Sequence, residues 1–156
     1  MRLPTFPVEG GCQCGAVRYR LKGAPVGVYA CHCKDCQRFS GTTHTISMMV
    51  KASDVELLRG KLVSFDKAAD SGRVVRMHGC IDCGTKVWNE PLSSPGTLNI
   101  KPGTLDDMSW AKPVGHIWTD SAVAWDIIDE SGPVFGSQPA DRKPLFDAYA
   151  AEIAKG

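Results

Sequence analysis

The sequence predicts a mainly β fold of small packed antiparallel sheets, built around zinc knuckles and completed by one C-terminal helix. Three observations predict this fold class. Short runs rich in β-branched and aromatic residues recur along the chain, with Pro and Gly between them. Seven cysteines fall into three clusters, a spacing typical of metal-bound turns. Apolar residues recur at helical spacing between about residues 141 and 155, which indicates a helix there.

The individual strands follow from the side-chain pattern. Residues 16–21 alternate apolar with basic side chains, as a half-buried strand does. Residues 26–30 form a short apolar strand that leads directly into Cys31. Further strands are predicted at residues 44–50, 62–66, 73–78, 86–89, 97–101, 114–118 and 122–127.

The remaining elements are turns and the helix. Residues 52–58 are predicted to form a short helical turn capped by Ser53, because a serine hydroxyl can accept a free N–H at a helix start. The polar segment Asp70-Ser71-Gly72 is predicted to be the turn of a hairpin. The helix is expected to pack on the sheets through Leu145, Phe146, Tyr149 and Ile153.

Length and charge limit the classes of function. A chain of 156 residues can bury a core without disulfides, so we expect one zinc-binding domain over residues 1–156. With 18 basic and 17 acidic residues the net charge is +1, which predicts small-molecule partners rather than nucleic acid or a membrane. The chain has neither a signal-like apolar run nor a stretch of ~20 apolar residues, so a cytoplasmic location is expected. The sequence leaves the oligomeric state open.

The cysteines divide naturally into a group of four and a group of three. In a reducing compartment such clusters hold metal more often than they form disulfides. Side chains two apart on an extended segment share one face, and thiols three apart on a tight turn make half of a tetrahedral zinc site. The first group therefore joins two remote pairs, Cys12 and Cys14 with Cys80 and Cys83. The second group is Cys31, Cys33 and Cys36.

This division has a chemical consequence. Four thiolates around Zn²⁺ leave no vacant position, so that site should be structural. Three thiolates leave one position open, where a thiol that binds would lose its proton and become a nucleophile at neutral pH. The alternative is that His32, His44 or another residue completes the second site, so that both ions only stabilise the fold.

The cysteine motifs resemble those of the glutathione-dependent formaldehyde-activating enzyme family, which also includes centromere protein V. The resemblance rests on GCQCGAVRY at residues 11–19, CHCKDCQRFSG at residues 31–41 and CIDCGT at residues 80–85. Weaker echoes follow at residues 103–107 and 116–118 and at Trp125. It implies a β-tent type of fold with two zinc ions. One ion would be structural, at the four-cysteine group, and the other catalytic, at Cys31, Cys33 and Cys36.

The resemblance also implies an activity. Members are classed as carbon-sulfur lyases, and the assigned reaction joins glutathione to formaldehyde to give S-hydroxymethylglutathione. Lys34 and Arg38 flank the open site and would either bind glutathione carboxylates or only balance the charge of the thiolates. Ser40 and Gly41 would shape the turn behind Cys36 or contact the substrate directly.

Two rival interpretations belong to other classes of protein. The first is a zinc-stabilised binding module without catalysis, like centromere protein V. The second is a purely structural two-zinc domain. It is distinguished from an enzyme by whether the zinc ion at Cys31, Cys33 and Cys36 exchanges a water or thiol ligand. His116, Trp118 and Trp125 are interpreted as core residues rather than as a substrate groove, because aromatic side chains on short strands are most often buried.

Overall fold

The computed structural model describes residues 1–69 and 72–156 and confirms a mainly β fold. Its strands are β1 (Val8–Gly11), β2 (Arg18–Leu21), β3 (Gly27–Cys31), β4 (Thr45–Lys51), β5 (Val55–Arg59), β6 (Leu62–Ala68), β7 (Val74–Cys80), β8 (Lys86–Pro91), β9 (Thr97–Ile100), β10 (His116–Ile117) and β11 (Val134–Phe135). Its α-helices are α1 (Lys34–Ser40) and α2 (Lys143–Ala154).

The strands form two sheets. The smaller sheet has the order β1-β2-β5 and is antiparallel. The larger sheet has the order β11-β10-β3-β4-β9-β8-β7-β6. Its pairs are antiparallel except for the short strand β10, which runs parallel to both β3 and β11. The hairpin β6–β7 is therefore confirmed, whereas Asp70 and Ser71 of its predicted turn lie outside the described residues.

Two predicted elements are wrong. Residues 52–58 form a single 3-10 turn, Ala52–Asp54, followed by β5, and Lys51 rather than Ser53 precedes the turn. The segment becomes a strand because it pairs along the edge of β2, with Leu57 opposite Tyr19. Residues 122–127 do not form a strand. Trp125, the largest apolar side chain of this segment, is 75% exposed, so the segment does not bury the apolar face that a strand in the core would bury.

The main core lies between the two sheets and α2. Every second side chain of β2 is buried, and Tyr19 meets the Trp88 ring edge-on at a centroid distance of 5.8 Å. In α2, Leu145 and Tyr149 are buried, four residues apart on one face, as the helical spacing predicts. Fully burying a side chain of this size stabilises the fold by roughly 1.5–3 kcal/mol.

The junction between β3 and α1 positions the second cysteine group. Strand β3 is buried along its whole length and ends at Cys31, opposite Thr45 of β4. Cys33 is the N-cap of α1, and its sulfur accepts a hydrogen bond from the Cys36 N–H at 3.3 Å. The helix ends at Gly41, whose φ of 67° lies in the left-handed region that glycine adopts without strain. One strand end and one short helix thus hold three thiols together.

Candidate metal centres and the adjoining cavity

The first candidate metal centre joins two remote parts of the chain. It consists of Cys12, Cys14, Cys80 and Cys83, whose sulfur atoms all lie within 4.8 Å of one another. We call it the four-cysteine centre. The distance is 3.3 Å from the Cys12 sulfur to that of Cys14 and 3.9 Å from Cys14 to Cys80. Sulfur atoms at ~2.3 Å from a tetrahedral zinc ion stand roughly 3.8 Å apart, so this donor set fits zinc.

Hydrogen-bond donors stabilise negative charge on two of these sulfur atoms, those of Cys12 and Cys83. The N–H of Val17 donates to the Cys12 sulfur at 3.2 Å. The Thr85 hydroxyl lies 3.1 Å from the Cys83 sulfur, and hydrogen bonds from Thr85 lower the pKa of Cys83 to about 6. These contacts favour the thiolate form, which binds metal, at Cys12 and Cys83.

The second candidate centre consists of Cys31, Cys33 and Cys36, and we call it the three-cysteine centre. Its three sulfur atoms also lie within 4.8 Å of one another, and its thiols, like all seven, are free. Hydrogen bonds with Cys31 and then Cys33 hold the pKa of Cys36 far below its ordinary value, whereas hydrogen bonds with Cys33 and then Cys36 raise the pKa of Cys31. The group thus shares its protons unequally, and Cys36 is the first of the three to be a thiolate.

One cation lies next to this centre. The Lys101 ammonium is 3.4 Å from the Thr45 hydroxyl, which in turn hydrogen-bonds Cys36, and it lies 5.3 Å from the centre of the Phe39 ring. Burial lowers the pKa of Lys101, and the negative charge of Cys36 opposes that shift. Lys101 therefore balances part of the charge that a thiolate-rich centre carries.

The three-cysteine centre lines a cavity of about 570 Å³. Tyr29, Met49 and Phe146 supply apolar walls, while Ser47, Asn89 and Asn99 supply polar groups. A volume in this range suits a ligand of small-peptide size. In contrast to the four-cysteine centre, this centre adjoins space for a ligand.

The cavity is bordered by more basic than acidic side chains. Of the basic groups, Lys67 pairs with Asp35 at 3.2 Å and Lys34 donates to the Ser121 carbonyl at 2.9 Å. The other two are Arg73, which precedes β7, and Arg142, which is the N-cap of α2. Within residues 1–69 and 72–156, neither guanidinium group has a carboxylate partner. The cavity therefore offers two guanidinium groups to an anionic ligand.

The four residues predicted to bind the thiol substrate occupy different places. Lys34 lines the cavity, whereas Arg38, Ser40 and Gly41 do not belong to its lining. The Ser40 hydroxyl donates to the Cys36 carbonyl at 2.9 Å, and Gly41 ends α1. Ser40 and Gly41 thus shape the turn behind Cys36, which is one of the two roles considered for them.

The structure also adds residues that the sequence pattern did not reveal. Arg73 and Arg142 reach the cavity from a hairpin and from a helix start that lie far from the cysteine motifs in sequence, so no local signal marks them. Trp118 has a left-handed φ of 62°; it lines the cavity and also packs against the buried cluster that includes Tyr29 and Ile117. Trp125 is exposed, so interpreting it as a core residue is wrong. His116 is buried, as predicted for a core residue.

Neither histidine named as a possible fourth ligand joins the three-cysteine centre. His32 and His44 form a separate group with Asp126, with donor atoms within 4.8 Å of one another, which we call the His–Asp cluster. Sequence alternation places His32 opposite its neighbours Cys31 and Cys33, but it gives no signal that Asp126 meets it.

Comparisons with known proteins agree with this geometry. The sequence model of the glutathione-dependent formaldehyde-activating enzyme family matches residues 7–121, which include all seven cysteines. The chain belongs to this family. A crystal structure of a Rhodobacter sphaeroides protein is similar in fold, with a TM-score of 0.51 and 22% sequence identity over 63% of this chain and 87% of that one. The region that matches the family thus contains both cysteine groups that could hold metal ions.

One further property concerns membranes. Neither helix in the described part of the chain is long and apolar enough to cross a membrane.

Proposed function

We propose that the protein is a zinc-dependent enzyme of the carbon-sulfur lyase type that condenses glutathione with formaldehyde to S-hydroxymethylglutathione. The observation that carries this proposal is the contrast between the two cysteine centres. One centre consists of four thiols within 4.8 Å of one another, and the other consists of three thiols that line a cavity of about 570 Å³. Membership of the glutathione-dependent formaldehyde-activating family supports the choice of substrates.

The two centres would have different tasks. A structural zinc ion at the four-cysteine centre would tie the segment before β2 to the end of β7. A zinc ion at the three-cysteine centre would supply an exchangeable position that keeps a bound thiol deprotonated at neutral pH.

Side chains of the cavity would orient the thiol. Glutathione has two carboxylates and one ammonium group, and Arg73 and Arg142 are positioned to bind carboxylates. Lys34 would add a further positive charge near the three-cysteine centre, and Asp141 would face the ammonium group. Arg38, Ser40 and Gly41 would act indirectly, by holding the end of α1 in place.

The reaction is a simple addition and needs no oxidant or reductant. The thiol sulfur forms a bond to the formaldehyde carbon, the carbon–oxygen double bond becomes single, and the proton that leaves the thiol ends on the oxygen. The protein contributes by binding the thiol beside a small apolar space and by holding its negative charge next to Lys101.

X-ray absorption at the zinc edge tests this proposal. In protein that holds two zinc equivalents, the mean number of sulfur ligands per zinc should rise from about 3.5 to about 4 when glutathione is added. S-methylglutathione, which cannot form a thiolate, should leave the number unchanged. Exchange of ¹³C-formaldehyde into its glutathione adduct, followed by NMR, should be faster with the protein than without it.

The matched control for the exchange assay is Cys33→Ser, which removes one ligand of the three-cysteine centre only. An unchanged sulfur count, together with exchange no faster than the uncatalysed rate, would favour a zinc-stabilised binding module and overturn the enzymatic proposal.

A further inference from the structure

The His–Asp cluster is a group of metal-binding side chains that the proposed reaction does not use. We propose that His32, His44 and Asp126 form a third metal site, which binds a divalent transition-metal ion of the zinc class through two imidazole nitrogens and one carboxylate oxygen. The site shares no ligand with the two cysteine centres and does not depend on the proposed reaction.

The donor atoms converge on one point. Asp126 Oδ2 lies 3.2 Å from His32 Nδ1 and 3.0 Å from His44 Nδ1, and all three atoms lie within 4.8 Å of one another. Nitrogen and oxygen donors at about 2.0–2.1 Å from a tetrahedral zinc ion stand roughly 3.3 Å apart. Two imidazoles and one carboxylate form a donor set that suits zinc, iron or nickel and leaves positions for water.

The His32 ring provides a second, independent observation. Its side chain is completely buried, and among the described residues its Nδ1 has no hydrogen-bond partner although it faces the Asp126 carboxylate. A buried polar nitrogen without a well-aligned hydrogen-bond partner is unfavourable. A metal ion between His32, His44 and Asp126 would satisfy that nitrogen.

Outer contacts orient two of the three ligands, His32 and Asp126, as they do in known metal sites. His32 Nε2 lies 2.9 Å from Nδ1 of His116, which is buried on β10. The Ile127 N–H donates to Asp126 Oδ1 at 3.1 Å, which directs Oδ2 toward the histidines. Such partners fix the ring orientation and leave the ligating atom free.

The hydrogen bonds at His116 set the cost of binding an ion. The Asp129 N–H donates to His116 Nε2 at 3.3 Å, so a neutral His116 carries its proton on Nδ1 and donates to His32 Nε2. His32 then has its own proton on Nδ1. Coordination by that atom moves the His32 proton to Nε2 and breaks the hydrogen bond from the Asp129 N–H to His116 Nε2. One hydrogen bond is therefore exchanged for the bond between His32 Nδ1 and the metal ion.

The surroundings also suit a cation. His32 and His116 are both buried, and a neutral imidazole ring has a lone pair that can bind a metal ion. Asp126 is 12% exposed and His44 is 30% exposed, so an ion can enter from the His44 side. The Thr43 hydroxyl, 3.0 Å from His44 Nδ1, can rotate to another acceptor.

Titration with Co²⁺ of protein that already holds two zinc equivalents tests the site. We expect one further equivalent to bind, with visible d–d absorption but without the near-ultraviolet charge-transfer band that thiolate ligands produce. His44→Ala and Asp126→Asn should each lower the affinity for this equivalent by about tenfold or more. Both variants should keep the melting temperature of the wild-type protein within a few degrees, because His44 is partly exposed and asparagine has the shape of aspartate.

The matched control is His78→Ala. His78 also pairs with a carboxylate, with 3.4 Å between its Nε2 and Glu90 Oε2, but among the described residues no third ligand joins that pair. This variant should bind Co²⁺ as the wild type does. The proposal is overturned if the wild type binds no further Co²⁺, if His44→Ala and Asp126→Asn bind it unchanged, or if the bound ion shows the thiolate charge-transfer band.

Discussion

The sulfur atoms of Cys14 and Cys80 lie 3.9 Å apart, although 66 residues separate them in sequence. This contact joins the segment before β2, in the smaller sheet, to the end of β7, in the larger one. A metal ion there would cross-link the two sheets. The three-cysteine centre, by contrast, spans six residues and closes no long loop.

This difference predicts that the two centres respond differently to loss of one thiol. Cys80→Ser should lower the melting temperature by roughly 10 °C or more, whereas Cys33→Ser should lower it by only a few degrees. Cys33→Ser should nevertheless abolish acceleration of formaldehyde exchange. Circular dichroism melts of both variants, with zinc content measured on the same samples, would test the prediction. Equal destabilisation would mean that both ions are structural.

The cysteine motifs predicted the division into two centres because local chain geometry determines which side chains share a face. Thiols two apart on a strand, or three apart on a tight turn, can therefore reach the same ion. The alternation in β2 and the helical spacing in α2 were equally local, and both elements form where expected. The family resemblance is confirmed, since the family's sequence model matches residues 7–121.

Features that depend on tertiary contacts were not predictable in this way. Residues 55–59 have no stronger strand pattern than helix pattern, and pairing with β2 decides the outcome. Arg142 reaches the cavity only because α2 packs against β3. Asp126 meets His32 and His44 from a segment predicted to be a strand, so its role depends on a loop path that no local pattern specifies.

A surface ion pair gives a prediction for the pH dependence of stability. The Arg18 guanidinium donates to Asp106 at 2.7 Å, and this hydrogen bond lowers the pKa of Asp106 below its ordinary value. The pair therefore stabilises the fold above the unfolded-state pKa of Asp106, and this stabilisation is lost as the pH falls through the lower folded-state pKa. Because Asp106 is 56% exposed, the effect should be at most about 1 kcal/mol.

A double-mutant cycle with Arg18→Met and Asp106→Asn measures this contribution from urea unfolding. The coupling free energy should be favourable at pH 7 and should fall toward zero as the pH drops through the folded-state pKa of Asp106. A coupling that stays constant over this range would show that the contact is not electrostatic.

Lys101 provides a test of charge balance at the three-cysteine centre. A bound glutathione thiolate adds one negative charge next to Cys36, and Lys101 is the cation that acts on that sulfur. Lys101→Met should therefore weaken glutathione binding by roughly tenfold, which corresponds to ~1.4 kcal/mol. Lys101→Arg, which keeps the charge, should retain most of the affinity.

The control for Lys101 is Lys86→Met. The Lys86 ammonium also lies over the Phe39 ring, at 5.4 Å from its centre, so this variant removes the same kind of cation–π contact. Titration calorimetry of the three variants with glutathione distinguishes the two effects. If Lys86→Met weakens binding as much as Lys101→Met does, the Phe39 contact rather than the thiolate charge explains the result.

The two guanidinium groups of the cavity predict how the protein selects its thiol. Arg73 and Arg142 would each bind one carboxylate of glutathione, so replacing either by Met should raise KM for glutathione by roughly tenfold, since a hydrogen bond to a charged group contributes about 1.5–3 kcal/mol. The same variants should leave KM for 2-mercaptoethanol, which has no carboxylate, nearly unchanged. Arg2→Met, at an exposed position outside the cavity lining, is the control for loss of one positive charge. Because the reacting sulfur and the aldehyde are the same with both thiols, the ratio of the two KM values isolates carboxylate recognition from chemistry. Equal increases in KM for both thiols would assign Arg73 and Arg142 to the shape of the cavity rather than to the choice of substrate.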